Sequence, residues 1–362
     1  MECSSDSKSR ERVLELIDAA GPTRRAADLF RYAEDLESFL PDTIIDAHVH
    51  LWNSGCVTTP FAPERYRSTM LEVADGYSSA SMHLTYRELL PGKKVASVCF
   101  GLAAFEADPE RVNSMVATEE ASVHARLLIP PSGAELDCLR QFLTKGGFVG
   151  LKPYPERTTR WHLKEESVGI GDFVTRPQWQ LADELGLPIL LHPPRARRMA
   201  DPGNLRALES RLERWPRAKV VLAHLGATAC PEGYARSLAR LRRYPQVFFD
   251  TAMVCNSTLI RLVLDAVGPS RLIFGTDLPF ALVRGQTVCR DGTGVLLTEG
   301  RYNFGVESGA PHAYLLYESL LATKAALVGA GLRQDDVRRI FAENAAGVYS
   351  AHSTLERNGS PQ

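Results

Sequence analysis

Two histidines one residue apart, His48 and His50, stand at the end of the stretch Thr43-Ile44-Ile45-Asp46-Ala47-His48-Val49-His50-Leu51. The β-branched apolar residues that lead into them predict a strand. Side chains alternate across a strand, so Asp46, His48 and His50 are expected on one face, with Ala47 and Val49 on the other. Two imidazoles one pleat apart can reach a single ion. Far along the chain, Lys152, His192, His224 and Asp277 each close another apolar run. Imidazole nitrogens with a carboxylate oxygen suit Zn²⁺, with Mn²⁺ or Fe²⁺ as alternatives, and three protein ligands plus water make an open catalytic site. A bound divalent ion lowers the pKa of water from 15.7 to about 7, and a carboxylate beside it can take the proton.

Such a site needs elements that bring distant residues together. Apolar runs at 43–51, 94–102, 125–130, 147–154, 187–192, 219–224, 247–250 and 271–277 read as strands. Helical patterns near 109–122, 134–145, 177–186, 203–214, 232–243 and 257–267 separate most of them, and two more, near 312–330 and 333–349, close the chain. Near-continuous apolar strands alternating with helices indicate a parallel sheet buried on both faces. Eight such units predict an α/β fold, a closed (β/α)8 barrel, whose strand C-termini converge on one face. No Gly-x-Gly-x-x-Gly follows the first strand, against a dinucleotide-binding fold. A lone histidine at a strand end is usually a hydrogen-bonded structural residue. Here four of only nine histidines fall at predicted strand ends, which favours a shared site. Asp46 lies deeper and is read as an anchor of the barrel floor.

The flanks are divided as 1–42, a helical extension; 43–350, the barrel; and 351–362, a polar tail. In the extension Val13 and Ile17 form one helical stripe and Leu29, Ala33, Leu36 and Leu40 another, with Gly21-Pro22-Thr23 as the break. An excursion rich in Gly and polar residues runs from Asp277 to about Pro311. At 362 residues and 44% hydrophobic, the chain is long enough for a large core. Forty-two Lys plus Arg against 43 Asp plus Glu argues against nucleic acid or an anionic membrane as partner. Seven scattered cysteines with no CxxC pair fit reduced thiols in a cytoplasmic protein. No apolar run is long enough to span a bilayer.

The order Asp-x-His-x-His, Lys, His, His and Thr-Asp on successive strands resembles the amidohydrolase superfamily. Phe274-Gly275-Thr276-Asp277 with Pro279, and Glu343-Asn344-Ala345-Ala346-Gly347-Val348-Tyr349, resemble its amidohydrolase-related (amidohydrolase 2) branch. The resemblance covers roughly residues 43–350 and implies a distorted TIM barrel carrying one or two divalent ions. It implies that His48, His50, His192 and Asp277 bind metal, with Asp277 as general base. His224 would bind a second metal or polarise the substrate carbonyl. Lys152 would be a ligand only if carboxylated; as an ammonium it would hold a substrate carboxylate or an ion pair. A homodimer is also compatible with the resemblance.

Substrate contacts are expected from Tyr154, from Trp161 in the loop after the fourth strand, and from Arg195 and Arg197 after His192. Arginine forks suit carboxylate or phosphate, although an arginine run with Arg198 also describes a solvated loop. His162, Tyr302, Phe304 and His312 are further candidates to line or cover the site. The expected activity is metal-assisted hydrolysis of a C–N or C–O bond (amide, lactam or lactone) in a small, polar, anionic molecule. The alternative is non-oxidative decarboxylation of an aromatic or unsaturated acid.

Overall fold

A computed structural model describes residues 2–350 except 62–72, 74, 103, 132, 156–157, 159–166 and 300–304. Eight parallel strands follow one another in chain order: β1 (Thr43–Asn53), β2 (Lys94–Gly101), β3 (Val123–Leu128), β4 (Gly150–Leu151), β5 (Pro188–Leu191), β6 (Lys219–Leu222), β7 (Val247–Asp250) and β8 (Leu272–Ile273). A two-residue strand, Gly76–Tyr77, pairs antiparallel on the end of β1. The chain after β8 closes the barrel against β1. The Ala47 amide donates to the Phe274 carbonyl (3.0 Å), the Asp277 amide to His48 (2.8 Å), and the His50 amide to Leu278 (2.8 Å). The fold is the distorted (β/α)8 barrel expected from the strand pattern.

Helices α1 (Glu2–Asp18) and α2 (Pro22–Arg31) precede the barrel. Between strands run α3 (Ser79–Leu89), α4 (Pro109–Thr118), α5 (Leu136–Gly146), α6 (Arg176–Leu185), α7 (Pro202–Arg214), α8 (Tyr234–Leu241) and α9 (Ser257–Val267), followed by α10 (Leu315–Gly329). Local chemistry sets their ends. Asp108 and Asp201 accept from the first free amides of α4 and α7, and Gly147 and Gly186 end α5 and α6 in the left-handed conformation. One large core fills the space between strands and helices. A second fills the barrel, where Ile45, Val98, Leu127, Leu190 and Val221 meet Ala345 and Val348 of the last helix, Asn344–Val348, and its C-cap Tyr349. That helix plugs the mouth opposite the strand C-termini. Among the described residues no helix is long and apolar enough to cross a membrane.

Two expectations change here, and the excursion gains a defined structure. The stripe through Ala33 fails because α2 runs into a π-turn, Tyr32–Leu36, whose extra residue rotates the phase. Tyr32 is buried and Ala33 exposed. The excursion after Asp277 is structured: β9 (Gly285–Arg290), β10 (Thr293–Thr298) and β11 (Gly305–Glu307) form a separate sheet. The cysteines are not all thiols, because Cys230 and Cys289 form a disulfide across 59 residues. α1 and α2 pack on the barrel and on this excursion. The Tyr314 hydroxyl donates to the Ile17 carbonyl (2.5 Å), and Arg24 and Arg284 pair with Glu299 and Asp28 (2.5 Å each).

Candidate metal centre

The site begins with an irregularity in β1. Asp46 pairs with Ser97, but Val49 pairs with Cys99, so β1 carries one residue more than β2 over this stretch. This bulge corrects the simple alternation. Ile45 and Ala47 face the barrel interior, and the extra residue lets His48 and His50 face it too, while Asp46 turns outward. There Asp46 accepts from the His48 amide (3.1 Å), the Thr276 amide (2.9 Å) and hydroxyl, and the Tyr86 hydroxyl (2.8 Å). Burial pushes its carboxyl up to about 7 against the pull of these donors. Asp46 thus ties β1 to the Asp277 segment and to α3, the anchoring role its depth suggests.

Across the closure seam, Asp277 has a left-handed backbone (φ 68°). Its Oδ1 lies 3.0 Å from His50 Nε2 and 3.4 Å from His48 Nε2. All three residues are buried, at 7%, 6% and 1% exposure for Asp277, His50 and His48. Burial, and then the charge of Lys152, holds the His48 imidazole well below its ordinary pKa, and burial lowers His50 as well. Both rings are therefore neutral at neutral pH, the form that binds metal. Burial alone would raise the Asp277 carboxyl. The surrounding imidazoles and the contact with His50 outweigh it and hold the group ionised far below the carboxylate range.

One tautomer follows from the partners. His48 Nδ1 lies 2.9 Å from Asp250 Oδ2, so the proton sits there and Nε2 is left as a lone pair. His50 Nδ1 meets the Tyr154 hydroxyl at 3.4 Å, and its Nε2 faces Asp277. Asp250 was not apparent from the sequence. Its only signal is a carboxylate closing the run Val247-Phe248-Phe249, the same signal that marked Asp277. Asp250 is fully buried, and its other oxygen accepts from the His224 amide (2.7 Å) and the Ala252 amide (3.2 Å).

These residues fit a metal ion. Ligands about 2.1 Å from a tetrahedral ion stand about 3.4 Å apart. The His48, His50 and Asp277 atoms lie within 4.8 Å of one another. Asp277 Oδ1 is buried with no hydrogen-bond donor aligned on it. A buried carboxylate oxygen facing the His48 lone pair costs stability unless a cation lies between them.

The opposite side is arranged differently. His224 opens a left-handed turn (φ 53°, 54°, 86° and 55° through Ala227). Its Nδ1 is 2.9 Å from the Ala252 carbonyl, and its Nε2 is 3.8 Å from Asp277 Oδ2. The His192 ring lies 5.4 Å from that of His224 and outside the tight His48–His50–Asp277 group. Burial, and then Arg198, lowers its pKa well below the ordinary value. Lys152 is 1% exposed, with Nζ 5.0 Å from the Phe100 centroid and 5.1 Å from that of Tyr154. A cavity of about 420 Å³ opens here, lined by His192, Arg198, His224, Met253, Asp277 and Thr287.

The arginine loop sorts itself. Arg195 donates to Asp201 (3.0 Å) and to the Val168 carbonyl (3.2 Å), a structural post rather than a cavity contact. Arg197 lines a second cavity of about 580 Å³ beyond the loop. Arg198 lines both cavities, the first of them together with His192 and His224. Left-handed backbone at Arg195 and Arg198 (φ 67° and 48°) reverses the chain between them, which no periodicity foretells. His312 bonds Ser308 (2.7 Å) in the excursion. Trp161, His162, Tyr302 and Phe304 lie outside the described residues.

Residues 45–351 match the family model described as Amidohydrolase. The chain belongs to the amidohydrolase family. Its barrel is similar to amidohydrolase 2 from Bifidobacterium longum subsp. infantis, at 15% identity over 85% of this chain and 99% of that one, with a TM-score of 0.54. It is also similar to a Burkholderia multivorans amidohydrolase solved with bound zinc (14%, 85% and 99%, TM-score 0.53). A third likeness is to 4-oxalomesaconate hydratase from Rhodopseudomonas palustris (18%, 84% and 95%, TM-score 0.51). Among curated proteins none matches the sequence. This amidohydrolase is therefore an enzyme, on a scaffold with a His-His-Asp group where a divalent ion would bind.

Proposed function

We propose that this chain is a metal-dependent hydrolase that cleaves a C–N or C–O bond, of amide, lactam or lactone type, in a small anionic substrate. The observation that carries the reading is Asp277 Oδ1, buried, without a donor, and 3.0 and 3.4 Å from two imidazole nitrogens. His48, His50 and Asp277 would hold the ion, with Zn²⁺ the first choice for this donor set. When bound, the ion supplies Lewis acidity that acidifies water at neutral pH. Asp277 accepts the proton on the oxygen turned toward the cavity. His224, fixed through Nδ1 by the Ala252 carbonyl, directs Nε2 at the substrate carbonyl or, in a two-ion site, at the second ion. His192 stands beside it as the further ligand. Arg198 holds the substrate carboxylate, and Tyr154 orients His50.

One observation favours the second reading, a non-oxidative decarboxylase. Lys152 Nζ lies 5.0 Å from the Phe100 ring and 5.1 Å from the Tyr154 ring, contacts that favour a cation, and a cationic Lys152 would leave a one-ion site. The test is metal analysis of the purified protein, then stripping and re-adding the ion while assaying carboxylated lactones and amides. Activity that follows the ion supports the hydrolase. Absence of any bound divalent ion, with activity unchanged by chelation, overturns both readings. Release of carbon dioxide from an aromatic or unsaturated acid would select the decarboxylase.

A further inference from the structure

The Cys230–Cys289 disulfide lies apart from the His48–His50–Asp277 group, on the rim of the cavity. Cys230 lies three residues beyond Ala227, the end of the left-handed turn that presents His224. Cys289 lies on β9, two residues after Thr287, which lines the cavity together with Leu296 of β10. The hairpin β9–β10 therefore forms a wall of the cavity, and the disulfide joins that wall to the His224 loop. The neighbouring contacts are slight. Thr287 donates to the Met253 carbonyl (2.9 Å) and accepts from the Cys255 amide (3.2 Å). Gly294 approaches Ala229 so closely that a Cβ there would come within 2.6 Å of the Ala229 Cβ.

Small domains use disulfides to replace a core they lack. This barrel has a large core, and the bond joins none of its core elements. Cys56, Cys99, Cys138 and Cys255 remain thiols. Cys289 is partly exposed, and the second cavity is lined by Cys230, Glu232, Gly292 and Gly294, so a reductant has a way in.

We propose that Cys230 and Cys289 form a redox clasp: oxidised, it holds the β9–β10 hairpin against the active-site cavity, and a dithiol reductant releases it. A thiolate of the reductant attacks the more exposed Cys289 sulfur. The Cys230–Cys289 bond breaks, and Cys230 leaves as a thiolate that takes up a proton. The reductant's second thiol then displaces Cys289, so two electrons pass to the protein and the reductant becomes a disulfide.

The proposal is independent of the reaction catalysed, and its test needs no substrate. Full-length protein unfolded without reductant should titrate five thiols, and seven after dithiothreitol. With the covalent tie cut, the Thr287 bonds and the Gly294 approach are the contacts described above that hold this face of the excursion to the cavity. Amides 287–296 and that of Cys255 should therefore exchange at least about tenfold faster after reduction, while 44–50 do not change. Cys289→Ser should show the fast exchange without reductant and ignore dithiothreitol. Should that variant fail to fold, the wild-type comparison with and without dithiothreitol decides alone. Seven thiols before reduction, or exchange of 287–296 unchanged by it, would overturn the clasp.

Discussion

His48, His50 and Asp277 are held along the β1–β8 seam by backbone bonds made at the same residues, whereas His192 and His224 face a cavity across the barrel mouth. On the seam, each donor belongs to a residue that also closes the barrel or adjoins one that does. Moving a ligand there means opening the fold. On the cavity side, His224 rides on a left-handed turn held by the Ala252 carbonyl and the Asp250 carboxylate, and the loop beyond His192 reverses twice. The seam is fixed by the closure of the barrel, and the cavity wall rests on loop turns. Asp250 touches both sides, binding the His48 ring with one oxygen and the His224 backbone with the other.

The largest effect should come from the seam. Asp277→Asn keeps the shape but removes both the anionic ligand and the proton acceptor, and kcat should fall about 10³- to 10⁴-fold. A loss under tenfold in protein with its full metal content would remove Asp277 from the chemistry. His48→Ala should copurify with little metal even where the barrel remains folded, as elemental analysis beside circular dichroism would show. Asp250→Asn comes next. It leaves the ligands in place but no longer fixes the His48 tautomer, and metal affinity should drop about 10- to 100-fold in a chelator competition. Unchanged affinity would mean that the seam needs no support from β7.

How much of this was legible in the sequence follows the same division. Strands buried on both faces write themselves as apolar runs. A parallel barrel gathers their C-terminal ends, so His48, His50, His192, His224 and Asp277 could be placed together before any coordinates. The bulge in β1 was not legible, because an extra residue carries no side-chain signature. It turned Asp46 away from the histidines it was expected to join. Asp250 carried the same mark as Asp277 but stood in no pattern that set it apart. The disulfide joins cysteines 59 residues apart without a spacing motif, and the arginine that reaches the cavity was decided by backbone reversals at Arg195 and Arg198.

On the cavity side the effects should be smaller and should appear in binding. Arg198→Ala removes a guanidinium from the wall beside His192 and His224. Hydrogen bonds to charged groups contribute about 1.5–3 kcal/mol, so KM for a carboxylate substrate should rise about 10- to 100-fold with kcat nearly constant. An equal fall in kcat would instead place Arg198 in the reaction.

Arg195→Ala is the control three residues away, and it should do least. Arg195 pairs with Asp201 at 3.0 Å, with side chains 28% and 18% exposed, so solvent screens the pair. Asp201 also caps α7 through the Gly203 and Asn204 amides, and those bonds survive the change. The loss should be about 1 kcal/mol or less, visible as a small drop in Tm with KM unaltered. Were Arg195→Ala to raise KM as much as Arg198→Ala, the loop would act as one charged surface, and the contrast between an anchoring arginine and a cavity arginine would fail.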